Sequence, residues 1–191
     1  MNKKYMAIIA VAIAIVAIIG GNYVYGYYEN QKFEENFKLQ YYYMEKAKQI
    51  ENENQKIGTK TYYTQNTFDT AKNQLNNNLD QEIDYLNKGI SYEEQMVNYS
   101  PSEAYKKYAE ALLNQNKNAK EYAELWKQKI TLATFSGITD QNKYNDLNNQ
   151  MICAIKNMNT FADEKDKIKI QNPELNHLIE NLSNETNTVL N

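Results

Sequence analysis

Arginine is absent from this chain: all 21 basic residues are Lys, set against 24 Asp and Glu. With Lys3 and Lys4 set aside, 19 Lys face those 24 acids, a net of −5 scattered without basic clusters. Phosphate recognition relies on clustered cations and favours the planar guanidinium fork, so nucleic acid is excluded as an expected partner. Cys153 stands alone, which excludes an internal disulfide. His177 is likewise the one His. Glu174-Leu175-Asn176-His177 has the Glu-x-x-His spacing of di-iron bundles, but such sites need that motif twice, so His177 reads as a surface residue. No Gly-rich phosphate loop, no CxxC pair and no HExxH occurs. No catalytic, cofactor-binding or metal-binding residue is therefore expected, and no enzyme.

Long apolar runs are also scarce, with one exception. After Lys3 and Lys4, Tyr5 to Tyr28 runs for 24 residues without a charge. A helix of that length spans about 36 Å, enough for a hydrocarbon core of about 30 Å. Tyr23, Tyr25, Tyr27 and Tyr28 end it with rings suited to the headgroup layer. Lys before the run and Glu29 after it orient the N-terminus inward and the remainder outward. The expectation is a membrane anchor over residues 1–28 and an extracytoplasmic domain over 29–191, single-pass at the cell membrane. The competing reading is a cleaved signal peptide, because the strongly apolar stretch Met6 to Ile19 is 14 residues, and it leaves a secreted protein. Ala7, Ala10, Ala14, Ala17 and Gly21 recur at 3-4-3-4 spacing and line one face, a seam on which two copies could pack closely. The simpler explanation is that Ala is frequent here, since Ala12 lies off the line. A bend at Gly20-Gly21 or Gly26 is expected if both this seam and the following apolar stripe are packed.

Punctuation of the remainder is sparse and regular. Gly58, Gly89 and Gly137 fall where a helix would end on a left-handed residue, and Pro101 and Pro173 where one would begin. Ser100-Pro101-Ser102-Glu103 reads as a capping box with Ser100 as N-cap; Asn172-Pro173 repeats the logic. Between these marks apolar residues keep a helical period in four long segments, Glu29–Gln55, Thr61–Lys88, Pro101–Phe135 and Asp140–Ile168, and a short fifth, Pro173–Leu190. Gln115 interrupts the third stripe. No run alternates with period two, so no sheet is expected. Ser91 to Tyr99 should fold over the end of the bundle. The fold class is all-α: an N-terminal transmembrane helix followed by an antiparallel up-down bundle.

Other features have plain readings. Cys153 has polar helical neighbours and should face solvent. Asp80, Glu82, Asp84 and the pair Glu93-Glu94 are expected on solvated faces, where nothing raises a carboxyl toward catalytic use. The clusters Tyr41-Tyr42-Tyr43 and Tyr62-Tyr63 exceed what a core can take, leaving rings for contact with proteins or glycans. Asn98, Asn181 and Asn184 open N-x-S/T triplets. The expected function is a non-enzymatic envelope protein presenting its bundle for protein contact or self-assembly. The expected partners are the lipid bilayer, a second copy of the chain, or an envelope protein of unspecified kind. The alternative is a ligand-binding accessory module resembling extracytoplasmic sensor bundles in architecture alone. A sensor carries a second span and a cytoplasmic output, which this sequence does not contain.

Overall fold

The computed structural model describes the backbone of residues 3–190 and the side chains of residues 26–189. Five helices carry nearly all of it: α1 (Lys3–Gly58), α2 (Gln65–Asn98), α3 (Glu103–Thr131), α4 (Gln141–Gln171) and α5 (Pro173–Leu190). Each of the first three packs on its successor, in antiparallel hairpins joined by short connections. The odd fifth helix lies between α1 and α4, which share no extensive contact of their own. Lys38 pairs with Glu185 at 2.6 Å and Asn187 donates to the Tyr41 hydroxyl at 3.1 Å, so α5 runs parallel to α1. Five helices in a ring leave one such parallel pair.

Two apolar ends bracket the bundle. At the end nearer residue 28, Phe33 and Phe37 of α1 pack with Met96, Tyr108, Leu112, Ile168, Leu175 and Ile179. At the far end, Ala47 and Ile57 join Leu75, Leu79, Leu86, Ala123 and Ile130, and Leu125 packs on Leu147 and Met151 beside them. Tyr28 meets Tyr99 edge to face, with ring centroids 6.0 Å apart, which places the α2–α3 connection beside the start of the domain. Tyr27 and Tyr28 are both exposed. The other residues expected in the anchor, Lys3, Lys4, Ala7, Ala10, Ala14, Ala17, Gly21, Tyr23 and Tyr25, lie outside those whose side chains are described. Among the described residues, no helix is long and apolar enough to cross a membrane.

Several local expectations are corrected. Gly58 closes α1 with no positive φ. Gly89 ends nothing: α2 continues through it to Asn98, so Ser91 to Tyr99 is helix rather than a cover over the bundle end. A Cβ at Gly89 would lie 2.1 Å from the Met44 Cε, because the tip of that α1 side chain packs over the glycine. Ser102, not Ser100, stands at the N-cap position of α3, without a capping side-chain bond, and the Ser100 hydroxyl instead donates to the Met96 carbonyl at 2.6 Å. Helix α3 stops at Thr131 because a small hairpin follows, β1 (Ala133–Thr134) and β2 (Gly137–Ile138). That ladder overturns the expectation of no sheet, and it needs Gly137, whose φ of +144° side chains rarely adopt. Asp140 caps α4 as its position suggests, accepting from the Lys143 amide at 2.9 Å.

Candidate functional site

The inward stripes of the helices are not uniformly apolar. On α1, Phe33, Phe37, Met44 and Ala47 share their face with Gln40, Glu51 and Asn54; Gln40 and Asn54 are fully buried. On α2, Leu75, Leu79, Leu86 and Met96 share theirs with Glu82 and Glu93, 4% and 0% exposed. Gln115 and Asn116 break the stripe of α3, and Lys165 and Lys169 that of α4. These polar positions keep the 3-4 spacing of the core, so the bundle that buries the Leu residues buries them too.

Between the two apolar ends they surround a cavity of about 490 Å³. The exposed Lys48 of α1 and the half-buried Lys169 of α4 also line it. Its apolar wall is Met44, Ala47, Leu86, Leu112 and Ala119; its polar wall includes Gln40, Glu51, Glu82, Gln115, Asn116 and Lys165. Size and mixed lining match small-molecule sites, which combine an apolar wall with a few placed polar groups.

Two buried polar pairs each place one member in that wall, Glu82 and Asn116. At the first, the Asn54 side-chain amide donates to Glu82 Oε2 at 2.8 Å, while Asn54 Oδ1 is buried with no partner. Burial pushes the Glu82 carboxyl up to about 7; the nearby Glu51 carboxylate pushes the same way and the Asn54 bond opposes both. Tyr122, half-buried on α3 and also in the wall, has its hydroxyl raised by burial first and then by the charges of Glu51 and Glu82. The second pair lies about 16 Å along α2, eleven residues on at 1.5 Å each. There Asn116 donates to Glu93 Oε1 at 2.5 Å, leaving Oε2 buried without a partner. Burial pushes Glu93 up to about 8 against the pull of the Asn116 bond, Lys165 and Lys117. Lys165, itself lowered by burial, donates to Gln115 Oε1 at 2.9 Å. Buried Tyr108 is raised by burial first and by Glu93 second.

The expectation of acids on solvated faces is thus correct for Asp80, Asp84 and Glu94, which are exposed and pair with Lys127, Lys88 and Lys117. It is wrong for Glu82 and Glu93, which burial raises toward neutrality. Their separation still exceeds the roughly 5–9.5 Å of glycosidase carboxyl pairs.

The remaining expected features are dispersed. Cys153 is exposed on α4. His177 is exposed on α5 beside Asn181, and among the described residues no group of His, Cys, Asp or Glu is placed to hold a metal. Asn98, Asn181 and Asn184 are all exposed. Tyr43 stacks on Tyr92 of α2 at 5.9 Å, and Tyr41 accepts from Asn187 of α5, so two rings of that cluster join helices. The Tyr62 hydroxyl donates to the Ile57 carbonyl, whereas Tyr63 is 85% exposed. Tyr63 stands at the far end of the bundle with exposed Phe135 and Ile138 of the hairpin, beside a second, aromatic-walled cleft of about 580 Å³ containing Tyr62, Phe68, Trp126 and Tyr144. No protein-family model, curated protein or solved structure matches the chain.

Proposed function

We propose that this chain is a non-enzymatic binding module of the cell envelope, held by residues 1–28 as a single-pass anchor, whose bundle outside the cytoplasm takes a small polar ligand into its interior. The anchor rests on the uncharged run Tyr5 to Tyr28 behind Lys3 and Lys4. Binding rests on one observation: a cavity of about 490 Å³ with the buried, raised carboxyl of Glu82 in its wall. A bundle selected only for stability would fill that volume with side chains, because voids and unpaired buried polar groups both destabilise.

The test is thermal unfolding of the full chain in non-ionic detergent with a panel of amines, carboxylates, amino acids and sugars. Compounds that raise Tm should do so in the native chain and not in Ala119→Phe, whose ring fills the cavity. A panel without a single shift, or shifts equal in both chains, would remove this reading.

A second reading, protein contact at the end remote from residue 28, is favoured by the exposed Tyr63, Phe135 and Ile138. Self-association would use the seam Ala7, Ala10, Ala14, Ala17 and Gly21.

A further inference from the structure

We infer that the cleft at the far end of the bundle is a second ligand site, and that it takes a small aromatic carboxylate. This goes beyond the interior cavity and does not depend on it. The cleft, about 580 Å³, forms where the end of α1, the start of α2, the end of α3, the hairpin and α4 meet.

Its wall is aromatic on several sides. Tyr62, Phe68, Trp126 and Tyr144 line it, and folding leaves each of them only half-buried. Tyr62 and Phe68 meet edge to face at 6.3 Å, and the Tyr62 hydroxyl is tied to the Ile57 carbonyl at 2.8 Å, so this side is fixed before a ligand arrives. Rings held in place and left partly bare offer edge and face contacts to another ring.

Charge is the independent observation. Lys60, Lys72 and Lys129 line the cleft and no Asp or Glu does, although acids outnumber lysines in the chain by 24 to 21. The interior cavity, by contrast, has Glu45, Glu51 and Glu82 in its wall. Among the described residues none of the three cleft lysines forms an ion pair. Two of their ammonium groups are held by residues that line the cleft as well. Lys72 Nζ donates to the Ala133 carbonyl at 2.7 Å and, at 3.4 Å, to that of Thr131. Lys129 Nζ lies 4.5 Å from the centroid of the Tyr144 ring and donates to Asn148 Oδ1 at 2.9 Å. An ammonium has three N–H groups, so both lysines keep a donor for a ligand.

Fixed positive charge without a counter-ion, beside bare rings, is complementary to an anion that carries an apolar ring. An amine would meet ammonium groups of its own sign, and a divalent cation would find no carboxylate. Lysine supplies point charges rather than a guanidinium fork. One free donor on each of two lysines suits a singly charged carboxylate better than a phosphate monoester, which presents three strong acceptors.

The experiment uses Trp126, the one Trp in the sequence, as an internal reporter. The full chain in non-ionic detergent is titrated with hydrocinnamate, hydrocinnamyl alcohol, phenylpropylammonium and propanoate, free concentrations being corrected for uptake by detergent alone. Trp126 emission is excited at its red edge, where a phenyl ring does not absorb. Hydrocinnamate should change that emission saturably at one site, and the other three should each bind about tenfold more weakly. Lys72→Gln and Lys129→Gln should each weaken hydrocinnamate about tenfold. Lys127→Gln, which removes the same charge from a lysine of α3 paired with Asp80, should change it less than about twofold. Because Lys72 also ties the hairpin to α2, Lys129→Gln carries the test if Lys72→Gln lowers Tm. Ala119→Phe, which fills the interior cavity, should leave hydrocinnamate binding intact. Equal affinity for the alcohol, the ammonium or propanoate, or unchanged binding in Lys129→Gln, overturns the assignment. Loss of binding in Ala119→Phe would place the ligand in the interior cavity, overturning this site and supporting the other. If hydrocinnamate does not bind, this site falls and the interior cavity still stands on its own thermal test.

Discussion

Asn54 of α1 and Glu82 of α2 form a buried hydrogen bond of 2.8 Å between two helices that otherwise join through apolar and aromatic contacts. A carboxyl in that position makes stability depend on pH, with a definite sign. Its folded titration, about 7, lies above the ordinary value of 4.5, so the folded chain holds more protons than the unfolded chain between those limits. This group's stabilisation is therefore fully present below pH 4.5 and is lost as pH rises through 7, by on the order of 3 kcal/mol in all. Glu93, raised to about 8, acts in the same direction over a window reaching slightly higher. Melting curves of the full chain from pH 5 to pH 8.5 should show Tm falling by roughly 10 °C. Glu82→Gln and Glu93→Gln should each flatten the decline and raise Tm at pH 8. A Tm that rises over this range would mean that these acids are solvated.

Gly89 and Met44 yield a second prediction. An alanine Cβ would strike the Met44 Cε, the far end of a flexible side chain that also borders the cavity. Met44 has room to swing, and alanine improves helix propensity by about 1 kcal/mol. Gly89→Ala should therefore change unfolding free energy by less than about 1 kcal/mol, whereas Gly89→Leu should destabilise by about 2–3 kcal/mol as α1 is forced away. Denaturant unfolding of both variants distinguishes these outcomes from the result expected of a helix-terminating glycine, where alanine itself is costly.

Topology can be read from Cys153, the one thiol in the sequence and exposed on α4. A membrane-impermeant maleimide added to intact cells should label it as completely as in lysed cells. Labelling only after lysis would place the bundle inside. In the same membranes, Ala14→Ile with Ala17→Ile should reduce crosslinking between copies if the small-residue seam joins them; equal yields would remove the seam.

Tyr63 and Phe135 differ from the interior residues in having little to hold. Tyr63→Ala should leave Tm within about 1 °C, because that ring is 85% exposed. Phe135→Ala should cost more, since its ring approaches Phe68 at 6.2 Å, but still under about 1 kcal/mol. A loss above 2 kcal/mol for Tyr63→Ala would show it packed rather than presented.

Much of the fold was legible because helical period and punctuation agree: Asp140 and Pro173 stand at helix starts, and the apolar residues of four segments do form the core. The misplaced boundaries share a cause. Gly89 reads as a helix end if glycine is taken only as a breaker, but here it lies inside α2 with the Met44 side chain packed over it. Gly137 is needed for its backbone, in a hairpin too short to show alternation. The cavity was missed for a different reason. Glu82 and Glu93 are in phase with Leu75, Leu79, Leu86 and Met96, and Glu51 and Asn54 with Met44 and Ala47, so period alone places them inside. Counting only apolar residues assigns Glu82 and Glu93 to solvated faces instead. Gln115 was visible as an interruption. Its partner Lys165 is fifty residues away in sequence, and only the pairing of α3 with α4 brings them together.

The carboxyl carbon of Glu82, followed by NMR in the full chain with carbon-13 glutamate and assigned by its disappearance in Glu82→Gln, reports most directly on whether the bundle encloses a polar chamber. A midpoint near 7 is the predicted result. A midpoint near 4.5 would show a side chain in open water and contradict the enclosed site.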